Sequence, residues 1–173
     1  MGDSNKSDFE HFVELFNRHG VEFLVIGGQA EALFGSPRVT YDSDFCYRRT
    51  AQNLTRLAAA LKELGPTLRG APPDLPFQID ARSLALGENF TFSTPFGSLD
   101  LLGWVEPIGN YEDLVKHVET YPVGDVQVQT ISLHQLIRVK EHIRRPKDRD
   151  SLFQLQAIKR LRQERAAGEG PAT

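Results

Sequence analysis

The stretch from Phe23 to Phe45 restricts the possible fold more than any other part of the chain. It opens with the apolar run Phe23-Leu24-Val25-Ile26, closed by Gly27-Gly28, and after thirteen further residues it reaches Asp42-Ser43-Asp44-Phe45. A short apolar run ended by two glycines reads as a buried strand, Glu22 to Ile26, whose far end lets backbone come close to another group. The Asp-x-Asp segment reads as a second strand, Asp42 to Tyr47. With a side-chain period of two, Asp42, Asp44 and Cys46 share one face and Ser43, Phe45 and Tyr47 the other. Gln29 to Phe34 reads as a short helix broken by Gly35-Ser36-Pro37. The glycines then sit where a strand becomes a helix N-terminus, and the free N–H groups and positive dipole end there suit a phosphate. Taken alone, the glycines read equally as a packing turn; the two aligned acids turn the reading towards a metal-and-phosphate site.

This arrangement resembles the minimal fingerprint of the nucleotidyltransferase superfamily, the DNA polymerase beta-like fold. Two later segments, Asn89 to Gly103 (NFTFSTPFGSLDLLG) and Arg144 to Asp150 (RRPKDRD), are similar to small bacterial proteins of the AbiEii/MenT-like group, and the likeness runs from about Val21 to Leu155. It implies an α/β (α+β) fold with a mixed, mostly antiparallel sheet flanked by helices. It also implies that Asp42, Asp44 and Asp100 hold Mg2+ or Mn2+, and that Gly27 and Gly28 cradle the outer phosphates of a nucleoside triphosphate. Lys140 matches a nucleotide-binding lysine with a catalytic part, and Asp148 or Asp150 a downstream acid, with the choice between the two left open. Arg38 and Arg144 are expected on the nucleotide as well. The reaction implied is transfer of an NMP from an NTP onto a hydroxyl of RNA, such as a tRNA end, or of a protein, in a toxin-like role. The alternative is a non-catalytic protein of the same fold that binds a nucleotide or a partner, such as a cognate antitoxin or a phage-defence component. Two departures stand out: Ser43 takes the usually hydrophobic middle place of Asp-x-Asp, and Gln29 rather than serine follows the glycines.

Independently of the resemblance, Asp100 sits inside the apolar strand Leu99-Asp100-Leu101-Leu102. A carboxylate there is costly unless a metal or cation satisfies it. Phe90 to Ser93 and Ser98 to Gly103 read as a hairpin around Pro95-Phe96-Gly97, and Glu119 to Pro122 with Val126 to Thr130 as a second one around Gly124-Asp125. Phe77 to Asp80 reads as a short strand, Gly70 to Pro76 as a proline-rich loop or lid, and Trp104 as either a stacking surface for a base or ordinary packing.

Ser7-Asp8-Phe9-Glu10 is a capping box opening a helix with Phe9, Phe12, Val13 and Phe16 on one stripe and Gly20 as its stop. Thr50 caps a helix that buries Leu54, Leu57, Ala58, Leu61 and Leu64 and ends at Gly65-Pro66. Tyr111 to His117 is a short helix. Ser132 caps another, burying Leu133, Leu136, Ile137 and Ile143, in which Lys140 lays its stem over the core with its amine at an opening and neighbours Arg144 at i, i+4. A last helix follows Pro146, carrying Leu152, Leu155, Ile158 and Leu161.

The length of 173 residues suits a single domain with flexible tails at 1–6 and 166–173. Net charge is -3, yet His134 to Arg165 holds ten Lys/Arg against four Asp/Glu. The basic helices of 132–165 would face a bound polyphosphate or RNA, or simply be solvated. Arg38, Arg48 and Arg49 flank the Asp-x-Asp strand, balancing its acids, touching phosphates, or merely exposed. One cysteine, Cys46, excludes an internal disulfide, reads as a packing residue and fits a reducing cytoplasm. The start of the chain lacks an apolar signal, and no apolar run approaches a membrane span. Five scattered histidines lack zinc-ligand spacing, and neither a Walker A loop nor a Gly-x-Ser-x-Gly elbow occurs.

Overall fold

The structure is a computed structural model that describes residues 6–170. In chain order its elements are α1 (Asp8–Arg18), β1 (Phe23–Ile26), α2 (Gly27–Leu33), β2 (Ser43–Tyr47), α3 (Ala51–Leu64), β3 (Thr67–Leu68), α4 (Ala81–Leu86), β4 (Asn89–Thr94), β5 (Gly97–Leu102), α5 (Tyr111–Leu114), β6 (Val118–Val123), β7 (Val126–Ile131), α6 (Leu133–Ile143), a 3-10 turn (Pro146–Asp148) and α7 (Arg149–Gly168). The seven strands form one mixed sheet of order β3-β4-β5-β2-β1-β7-β6. Four of the neighbouring pairs are antiparallel, and β1–β7 and β2–β5 are parallel.

The register of the central strands follows from an aromatic cluster on one face of the sheet. Phe45 of β2 packs against Phe9, Phe12 and Phe16 of α1 and against Phe23 of β1, with ring centroids 5.3 to 6.5 Å apart. The Ser7 capping box fixes where α1 begins, since Glu10 N–H donates to Ser7 Oγ and Ser7 N–H to the Glu10 carboxylate. Because side chains alternate, seating Phe45 in this cluster turns Asp44 and Cys46 to the opposite face. A slip of one residue would put Asp44 into the phenylalanines. On β5 the same alternation buries Leu99 and Leu101, opposite Phe92 and Phe90 of β4, and turns Asp100 away from them.

A second anchor joins β1, β2 and α3. The fully buried Asn53, in the first turn of α3, accepts from Glu22 N–H at 2.7 Å and donates to Glu22 O at 3.0 Å and Arg48 O at 2.7 Å. One amide thus satisfies three main-chain groups at the outer ends of the two central strands.

Several boundaries differ from the sequence expectations. Phe77 to Asp80 is not a strand: Asp80 Oδ1 accepts from Ser83 N–H at 2.7 Å and caps α4, an unexpected helix. Asp and Ser three apart form a cap, and that local bond wins over the β-propensity of the preceding residues. The helix after Asn110 stops at Leu114, and α7 runs on to Gly168, into the stretch expected to be a tail. The tail residues 1–5 and 171–173 lie outside the described residues. Ile143, expected in the core, is 40% exposed at the end of α6. Arg144 has left the helix in a left-handed conformation (φ 51), so the i, i+4 alignment with Lys140 is not made. Among the described residues no helix is long and apolar enough to cross a membrane.

Asn53→Ala would leave buried N–H and C=O groups of Glu22 and Arg48 without partners, a loss of roughly 2–4 kcal/mol. The expected outcome is a lower urea midpoint with an unchanged slope, read by circular dichroism.

Candidate active site

The face of the sheet opposite the phenylalanines, together with α6, encloses a cavity of about 510 Å³. Asp42, Asp44 and Asp100 all line it, with Gly27 at one end. Lys140, Arg145 and Lys147 form its cationic side, and Leu102, Trp104, Val105 and Ile143 contribute an apolar wall. The strand geometry sets the acids side by side: β2 and β5 run parallel with Asp44 directly opposite Asp100.

Two carboxylates so placed in a partly desolvated wall repel each other. Burial first, then the charges of Asp100 and Asp42 and a hydrogen bond with Asp100, push the Asp44 carboxyl up to about 7, against the opposing pull of Lys140. Asp44 therefore holds its proton to near neutrality, in a hydrogen bond with Asp100. Gly27 makes the approach possible. It has φ +63, and a Cβ on it would stand 2.3 Å from Asp44 Oδ2. Gly28 leaves room for Thr40, whose Oγ1 would lie 2.7 Å from a Cβ there. Thr40 Oγ1 and Gln29 Nε2 both reach the Asp42 carbonyl at 3.4 Å, tying the strand's start to the glycine turn.

Lys140 is deeply set. Its Nζ lies 2.8 Å from Glu31 Oε1, in ion-pair contact but off the hydrogen-bonding direction, and donates to Asp148 Oδ1 at 2.9 Å. Arg145 Nε donates to Asp148 Oδ2 at 2.7 Å, and Ser151 Oγ to Glu31 Oε2 at 2.8 Å. Burial works against the Asp148 charge, but the bonds from Lys140 and Arg145 prevail and hold its carboxyl below the usual range. Of the two acids left open by the sequence, Asp148 meets Lys140, whereas Asp150 is exposed.

The two arginines expected on the nucleotide have protein partners in this structure. Arg38 Nη1 donates to Lys147 O and to Ser151 Oγ, clasping the start of α7. Arg144 Nε donates to Glu141 O, and its side chain lines a separate basic cavity of about 490 Å³ at the α6–α7 corner, which also meets Lys140 and Arg145. Arg48 pairs with Glu22 and Glu112, and Arg49 donates to the carbonyls of Ala85 and Gly87. Cys46 is fully buried, and burial followed by the Glu112 charge pushes its thiol up to about 12, as suits a packing residue.

Sequence reasoning missed Glu31, Arg145, Lys147 and Arg69, whose Nη2 donates to Asp100 Oδ1. Only Glu31 left a trace, as an acid between Ala30 and Ala32 in a short helix. Asp42, Asp44 and Asp100 offer hard oxygen ligands of the kind Mg2+ and Mn2+ take, and the strained Asp44–Asp100 pair would be relieved by a divalent cation. Their donor chemistry fits such an ion. As the side chains stand, with Arg69 on Asp100, no three His, Cys, Asp or Glu among the described residues are already arranged to hold one.

In sequence, no family model and no curated protein matches the chain. In structure, it superposes on the lincosamide antibiotic adenylyltransferase LnuA, solved with lincomycin bound, with a TM-score of 0.60 over 89% of this chain and 99% of that one at 16% identity. The chain has a nucleotidyltransferase fold. The antibiotic-resistance factor ANT(2'')-Ia matches with a TM-score of 0.56 at 12% identity, over 93% of this chain and 92% of that one. An antigenic nucleotidyltransferase-like protein from Paracoccidioides brasiliensis matches with a TM-score of 0.51 at 16% identity, over 88% and 74%.

The folded chain keeps the Asp44 proton to about pH 7, while an unfolded aspartate releases it near about pH 4. Native stability is therefore lost as pH rises between those values. Asp44→Asn is expected to melt several degrees above the wild type at about pH 8, with the gap closing below about pH 4, in thermal scans with EDTA present. Lys140→Met removes the cation between two buried carboxylates, leaving Glu31 with only the Ser151 hydroxyl and Asp148 with Arg145, and is expected to cost roughly 2–4 kcal/mol in denaturant titration, against less than about 0.5 kcal/mol for the exposed Arg144→Ala.

Proposed function

We propose that this chain transfers an NMP from a nucleoside triphosphate to a hydroxyl acceptor, with Mg2+ or Mn2+ held by Asp44 and Asp100 and completed by Asp42. The observation that carries this reading is the in-register Asp44–Asp100 pair lying against Gly27, in a cavity whose opposite side is cationic. The metal would neutralise charge on the reacting phosphoryl group and bring donor and acceptor together. The chain's own groups have separate parts. Gly27 leaves space for the carboxylate, and Lys147 and Arg145 offer positive charge to the polyphosphate. Lys140, bound between Glu31 and Asp148, holds α2 and α6 together around the cavity and contributes its charge to Asp44.

Two acceptor classes have specific support. The basic cavity at the α6–α7 corner shares Lys140 and Arg145 with the acidic cavity, which favours a polyanion such as a tRNA end, as expected for a toxin-like relative. The apolar wall around Trp104 and the resemblance to LnuA, solved with lincomycin, favour a small hydroxylated compound; ANT(2'')-Ia has been solved with adenylyl-2''-tobramycin. A protein hydroxyl has no comparable feature to favour it.

The deciding experiment incubates the protein with each α-labelled NTP, Mg2+ or Mn2+, and either bulk tRNA or a panel of lincosamides and aminoglycosides. Transfer is expected to fall by about a hundredfold or more in Asp44→Ala and Asp100→Ala. Nucleotide binding with no transfer to either class would move the chain to a non-catalytic role, as a nucleotide or antitoxin-type partner binder. Apparent Mn2+ affinity is expected to rise with pH through about 7 as the cation displaces the proton of Asp44, measurable by calorimetry in buffers of different ionisation enthalpy.

A further inference from the structure

Arg69 lies directly after β3, the two-residue edge strand of the sheet. Its main-chain N–H donates to Thr91 O at 2.9 Å, extending the pairing with β4, and Thr91 stands opposite Asp100 on β5. From this position the side chain reaches across β4 so that Nη2 bonds Asp100 Oδ1, its only side-chain hydrogen bond among the described residues. Gly70 follows with φ +75, and Pro72, Pro73 and Pro76 hold the next turns, so the arginine stands at the point where a regular strand gives way to a loop. Its side chain is 37% exposed, open to a ligand entering from solvent.

We infer that Arg69 is a phosphate-binding residue of this site, one that rests on Asp100 when no cation is bound and turns to the polyphosphate when a divalent cation takes Asp100. The inference rests on the metal-dependent reading above and adds a residue and a sequence of events to it. A guanidinium and a divalent cation sharing one carboxylate repel each other, so on the bare protein they compete for Asp100. A phosphate oxygen bound to that cation brings compensating negative charge within reach of the displaced guanidinium, whose planar fork suits phosphate in two parallel bonds. Metal and arginine thus oppose each other without phosphate and support each other with it. A purely structural arginine would not reverse sign in this way.

The test titrates Mn2+ into wild type, Arg69→Ala and Arg69→Lys, following free Mn2+ by electron paramagnetic resonance, with and without inorganic tripolyphosphate. Tripolyphosphate serves because the nucleotide base is unidentified. Arg69→Ala is expected to bind Mn2+ alone about threefold to tenfold tighter and Mn2+-tripolyphosphate at least about fivefold weaker than wild type, with Arg69→Lys between the two. Equal weakening of both, or no change in either for both variants, would overturn the role of Arg69 while leaving the metal site standing. Absence of Mn2+ binding by the wild type, with and without tripolyphosphate, would remove the metal reading itself and this inference with it.

Discussion

Mutual repulsion between Asp44 and Asp100 is the constraint around which the rest of this molecule is arranged. Neighbouring parallel strands place the two carboxylates opposite each other, and neither strand can shift to relieve them. Phe45 on one strand, and Leu99 and Leu101 on the other, are locked in the core on the far side of the sheet. The hydrophobic effect thus holds in place an electrostatic arrangement that would be unfavourable alone. Removing the Cβ at residue 27 is the steric counterpart: only glycine admits the carboxylate and accepts the backbone angle there.

Positive charge is brought to this pair by two means that differ in permanence. Lys140 is buried and fixed by Glu31 and Asp148, so it acts as a constant background charge and as a tie among α2, α6 and the 3-10 turn. Arg69 is half-exposed on a sheet edge with a single partner. Buried ion networks add little net stability compared with apolar packing of the same volume, but breaking one is costly. That asymmetry suits the Lys140 cluster to setting geometry and leaves exchangeable contacts to residues such as Arg69.

Much of the central architecture was legible because it rests on local patterns. The apolar run with its glycines, the Asp-x-Asp alternation, both hairpins and the Ser7, Thr50 and Ser132 caps all concern residues within a few positions of one another, where backbone periodicity decides the outcome. Asp100 was legible through its cost, as an acid within an apolar strand. Lys140 was found by its spacing, but not its partners, since Glu31 is 109 positions away in the sequence and its pairing depends on how α2 docks on α6. The partners of Arg38 and Arg144 were hidden for the same reason: tertiary docking sets Arg38 on the start of α7, and the left-handed end of α6 sets the direction of Arg144. Arg69 left no trace because β3 is two residues long and has no period to read. Asp80 was legible as an acid, yet its cap to Ser83 was overlooked in favour of the apolar residues before it.

The margins of the sheet carry a consequence of a different kind. One border strand, β3, offers only Thr67 and Leu68, and the other, β6, carries Pro122, which has no N–H to give a newcomer. Neither border is a good template for adding a strand from another molecule, so the native chain should resist edge-to-edge polymerisation at high concentration without needing a high net charge.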